Sequence, residues 1–157
     1  MHNNRPVLAL LFLFTQLVSY PVFADDNQDI SINNVWISEA PPSVTTLAAY
    51  ATIYNGSSET ITLASVSSPL FSSIEIHRSN IVDGIARMEK QSSLTINPKE
   101  SIELAPGSYH LMLFNPDKPL RSGNSVSISF NFSDGTSLSV EAPVLKRQND
   151  NPQHHHH

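Results

Sequence analysis

The chain has 157 residues, a formal net charge of −5, and no cysteine. That length suits one domain with terminal extensions. The lack of cysteine excludes disulfides, thiolate metal sites and thiol nucleophiles, and an acidic balance argues against a nucleic-acid partner.

Met1 to Arg5 carries one positive charge, Pro6 to Val18 is almost wholly apolar, and Val22-Phe23-Ala24 ends in a small residue before Asp25. This reads as a signal peptide cleaved after Ala24, because the apolar run falls short of the ~20 residues a spanning helix needs. The expected mature protein is therefore exported and soluble. All 14 acidic residues follow Ala24 while Arg5 precedes it, so its net charge becomes −6. Residues 25–29 form a loose start, residues 30–145 the folded domain, and residues 146–157 a disordered polar tail ending in His154, His155, His156 and His157.

Short β-rich runs follow. Ile30 to Ser38 alternates around Ile32, Val35 and Trp36, Ala48 to Tyr54 carries Tyr50 and Ile53, and Thr60 to Val66 carries Ile61 and Leu63. Ile74-Glu75-Ile76 leads into His77, and Asp83-Gly84 beyond it reads as a two-residue hairpin turn. Ser101 to Leu104 places Ile102 and Leu104 inward. Val126 to Phe132 puts Val126, Ile128, Phe130 and Phe132 on one face, with Leu138 and Val140 returning across Asp134-Gly135. Turn dipeptides between the runs and the absence of a sustained helical period predict an all-β domain, a sandwich or small barrel of seven to nine strands.

Outside Met1 and the extreme ends, the chain holds only two methionines and two histidines: His77, Met88, His110 and Met112. His110 and Met112 are two apart on one strand, hence on one face. If Asp83-Gly84 closes a tight hairpin, residue 79 falls opposite 88, and His77 shares a face with Met88 one diagonal step away. Met is ordinarily core filler and a lone His a satisfied polar residue. Two of each gathered together point instead to a soft ion, since thioether sulfur and neutral imidazole bind Cu(I) well and Zn(II), Mg(II) or Ca(II) less readily.

The spacing from His77 through Met88 and His110 to Met112 resembles the H-x10-M-x21-H-x-M signature of the periplasmic PCu(A)C copper chaperones. Val35-Trp36, Pro41-Pro42, Ala49-Tyr50, Pro106-Gly107-Ser108-Tyr109-His110-Leu111-Met112 and Lys118-Pro119-Leu120 extend that resemblance over about residues 30–145. It implies a cupredoxin-like Greek-key β-barrel or sandwich holding one Cu(I) near its rim, with His110 an exposed ligand. It further implies a monomeric, non-enzymatic chaperone that passes copper to the copper-A site of cytochrome c oxidase subunit II, alongside a Sco-type thiol protein. Blue-copper electron transfer needs a cysteine thiolate, so this chain is expected to carry copper rather than cycle it.

The terminal His154 to His157 run suits Cu(II), or is a purification tag or an incidental polar tail. Two rival readings remain: a copper-buffering or resistance protein using the same site, and a non-metal β-sandwich adhesion or assembly module. A hydrolase is disfavoured, since there is no Gly-x-Ser-x-Gly elbow, and no phosphate-binding loop or dinucleotide fingerprint occurs. Asn55-Gly56-Ser57 and Asn131-Phe132-Ser133 match the glycosylation triplet only weakly.

Overall fold

A computed structural model describes residues 30–146. The signal-peptide reading and the His154 to His157 tail lie outside the described residues. Ten strands make up the fold: β1 Ile30–Ser38, β2 Thr46–Asn55, β3 Ile61–Ser67, β4 Phe71–Val82, β5 Ile85–Gln91, β6 Leu94–Ile96, β7 Ser101–Leu104, β8 Tyr109–Pro116, β9 Ser125–Phe132 and β10 Ser137–Leu145. The hydrogen-bonded order is β5-β4-β8-β7-β2-β1-β10-β9-β3-β6, with β8 also pairing with β2. A short parallel contact, Ile37 with Val144 and Ser38 with Leu145, joins the two antiparallel-rich halves. Among the described residues no helix is long and apolar enough to cross a membrane.

The ladder folds into two layers because alternate residues of its strands are apolar and need cover. Val126, Ile128, Phe130 and Phe132 all point inward from β9, as their alternation requires. They meet Ile37 of β1, Ala49, Ala51 and Ile53 of β2, Leu63 of β3 and Leu111 and Leu113 of β8. Each large side chain fully buried here contributes roughly 1.5–3 kcal/mol, and with no disulfide this interior carries the stability of the fold.

The strand count exceeds the expected seven to nine by one. β6 is only three residues, Leu94-Thr95-Ile96, too short for a period to be read, yet Leu94 and Ile96 are buried against β3. β1 also breaks strict alternation. A bulge between Asn33 and Trp36, with Asn34 at φ 52°, turns Trp36 onto the outer face and leaves Ile37 in the core. That is why Ile32, Val35 and Trp36 are unevenly spaced. Asn55 is fully buried, its amide nitrogen donating to the carbonyls of Glu59 and Ile96, so the first glycosylation triplet is folded away.

Candidate metal centre

Asp83 and Gly84 take φ values of 53° and 74°, the pair of positive angles that a type I′ hairpin turn demands. Val82 therefore faces Ile85, and the ladder runs back without a slip to Ser79 opposite Met88 and His77 opposite Lys90. The conditional register read from the sequence is the register of the fold. On the other side of β4, His77 pairs with His110 and Glu75 with Met112, while Met112 also pairs with Ala48 of β2. Three strands, β4, β5 and β8, thus place His77, Met88, His110 and Met112 on one face.

It is the outer face. Ile76, Leu111 and Leu113, the residues between these positions, fill the sandwich interior. A cavity of about 170 Å³ opens there, lined by Ala48, Tyr50, Ser79, Met88, Pro106, Gly107, His110 and Met112. His77 flanks this lining, its ring centroid 6.0 Å from that of His110 with the planes inclined at 43°. That separation is about right for one ion bonded to a nitrogen of each ring at ~2.0 Å.

Exposure is graded across the four. Met88, on the edge strand, is 64% exposed, whereas His110 is 4% exposed. His110 was expected at the surface and is not: β4 lies alongside it and the Pro106-Gly107 turn contributes to the same cavity wall. Nδ1 of His110 lies 3.1 Å from the Ser108 carbonyl, and Nε2 of His77 lies 2.8 Å from Oε2 of Glu75. The remaining ring nitrogens, Nδ1 of His77 and Nε2 of His110, are buried without a hydrogen-bond partner. Two such atoms are costly, roughly 1–3 kcal/mol each, unless something else binds there.

Donor chemistry says what. Among the described residues no three His, Cys, Asp or Glu side chains converge, so the hard or thiolate set that Zn(II) or Ca(II) favours is not assembled. Two imidazole nitrogens and two thioethers form a soft, uncharged set that suits Cu(I). The carboxylate beside His77, Glu75, has its other oxygen 2.6 Å from Lys90 Nζ. The Lys90 ammonium, and after it His77, holds the Glu75 carboxyl below the usual carboxylate range.

Sequence reasoning gave no site role to Tyr50, Glu75 or Lys90. The hairpin register would have reached the last two: extended from 79 and 88 to 77 and 90, it brings Lys90 beside His77 and hence near Glu75.

A family model described as putative lipoprotein, LpqE-like, matches residues 30–144. The putative lipoprotein Lxx21020 of Leifsonia xyli subsp. xyli is 30% identical over 116 residues, 73% of this chain and 69% of that protein. Cu(I)-loaded DR1885 from Deinococcus radiodurans is 31% identical with a TM-score of 0.61, covering 74% of this chain and 77% of that one. The copper-bound PCuAC domain from PmoF2 has a TM-score of 0.64 at 19% identity over 75% of this chain and 93% of the domain, a likeness of fold.

Proposed function

From the premise that this chain belongs to the LpqE-like family, whose folded part is a cupredoxin-like domain of PCuAC type, we propose that it is an exported Cu(I) metallochaperone. His77, Met88, His110 and Met112 are its copper ligands. The observation that carries this reading is the pair of buried, partnerless imidazole nitrogens, on rings whose centroids are 6.0 Å apart, the His110 ring lining a cavity with both methionines. A Cu(I)-loaded relative at 31% identity supports it.

The graded exposure of the ligands suits delivery. Uncharged donors leave the single charge of Cu(I) unneutralised, so a thiolate acceptor holds the ion more strongly. Met88 is the most accessible ligand and is the first to yield to an incoming sulfur. His110 is the least accessible and lets go last. Stepwise exchange in that order passes the ion on without releasing it to water. The acceptor of this reading is the copper-A site of cytochrome c oxidase subunit II, with a Sco-type thiol protein as co-worker. The site of action is the periplasm, reached by the 1–24 signal peptide. This sequence has no cysteine, so a lipid carried on a cysteine has no attachment point within these 157 residues.

An anaerobic Cu(I) titration against a competing chelator tests the site. One equivalent is expected in the folded domain, and a Met88→Ala, Met112→Ala protein with undiminished affinity would sink it. Transfer to a metal-free subunit II domain, followed by the absorption of the copper-A centre it forms, tests the destination.

A further inference from the structure

The two imidazoles offer different nitrogens. A carboxylate and a backbone carbonyl only accept hydrogen bonds, so the contacts to Glu75 and Ser108 each take the ring N–H of a neutral imidazole. The lone pair is left on Nδ1 in His77 and on Nε2 in His110, the same two atoms that are buried without partners. For His110 the acceptor is main chain, fixed by the fold. For His77 it is a side chain, 26% exposed, whose place depends on Lys90.

We propose that Glu75, held by Lys90, is the positioning residue that assigns His77 its coordinating nitrogen, so that copper is bound by Nδ1 of His77 and Nε2 of His110. The inference rests on these histidines being the ligands. A ring nitrogen that carries hydrogen cannot donate to a metal, so an imidazole free to choose its tautomer presents the wrong atom part of the time. A carboxylate accepting from Nε2–H removes that choice and makes Nδ1 the better donor. Lys90 occupies the second carboxylate oxygen and ties Glu75 across the β4–β5 pair, where His77 and Lys90 stand opposite each other.

The full chain, labelled with 15N at histidine and free of metal, is examined by long-range proton–nitrogen NMR at ~pH 8, where an unperturbed imidazole is neutral. Spectra of His77→Gln and His110→Gln identify the two rings. The expected result is hydrogen on Nε2 in His77 and on Nδ1 in His110. Glu75→Leu is expected to leave His77 as a tautomer mixture with His110 unmoved, and to weaken Cu(I) binding roughly 10- to 100-fold. Glu75→Gln has one oxygen for two donors; the Lys90 ammonium cannot accept, so the amide N–H2 faces Nε2 of His77 and is expected to move the hydrogen to Nδ1 and weaken Cu(I) binding likewise. Hydrogen on Nδ1 of His77 in the wild type overturns the proposal, as does Glu75→Leu with either tautomer or affinity unchanged. Should Glu75→Leu fail to fold, Lys90→Met takes its place: a partial shift of His77 toward Nδ1–H is expected, and an unshifted population overturns the proposal. The tautomers are read without metal, so a wild type that binds no Cu(I) defeats the copper reading and the coordinating role with it, while the metal-free spectra still decide whether Glu75 sets the His77 tautomer.

Discussion

Trp36 rests against Tyr50 with ring centroids 4.6 Å apart, and Tyr50 lines the cavity that holds Met88, His110 and Met112. Trp36 is the only tryptophan in the chain. It reports on the site from one residue away. Titration of the metal-free protein with Cu(I) is expected to change the tryptophan emission in step with binding, saturating at one equivalent. An emission that stays flat while a chelator competition shows copper uptake would mean that the ion sits elsewhere.

Met88 and Met112 are expected to separate kinetically. Met88 is 64% exposed, so Met88→Ala should alter the stability of the metal-free fold by no more than about 0.5 kcal/mol. Met112 is half-buried between β2 and β4, and Met112→Ala should cost about 1 kcal/mol. Both weaken Cu(I) binding. Only Met88→Ala is expected to accelerate release to a thiol competitor more than it slows uptake, as stopped-flow transfer would show.

His110 is the place where stability and binding part company. His110→Leu removes a buried nitrogen that has no partner, which returns roughly 1–3 kcal/mol, and gives up one hydrogen bond to Ser108 worth about 1 kcal/mol. The metal-free variant should melt at or above the wild-type temperature. Copper should stabilise the wild type, by ~2.7 kcal/mol at a free concentration of 100 Kd, and leave the variant unmoved. A variant that unfolds much earlier than the wild type without metal would show that His110 is there to pack.

The turn at Asp83-Gly84 is expected to control the site at a distance. Gly84 holds φ 74°, where a branched residue is strained by about 1–2 kcal/mol. Gly84→Val should therefore lower stability and, by disturbing the register that sets Ser79 against Met88, weaken Cu(I) binding with all four ligands intact. Chemical shifts of β4 and β5 amides would locate the change.

Removing His154 to His157 should lower Cu(II) stoichiometry and leave Cu(I) affinity as it was. Equal Cu(II) uptake by the shortened chain would discard the tail as a second site.

What the sequence disclosed about this site follows from short-range rules. The face shared by His110 and Met112 comes from strand geometry, and the nearness of Met88 to His77 from a turn type that Asp-Gly strongly favours. What it withheld depends on residues distant in the chain. His110 is sheltered by β4, more than thirty positions earlier, and by a turn whose path no local pattern gives. Glu75 and Lys90, by contrast, meet where the same hairpin register is carried two residues past 79 and 88, so that pair was within reach of the turn rule. β6 escaped because three residues hold too little alternation to be recognised.

One consequence of the strand order concerns motion. β5 ends the sheet and is bonded only to β4, so it is among the segments that open with least free energy while the core stays closed. Met88 travels with it. Native-state hydrogen exchange should find the β5 amides far less protected than those of β8, and copper should slow them. On the proposed copper reading, the outermost ligand is thus mounted on a strand that can fray, which would let the protein loosen its hold on the ion without unfolding.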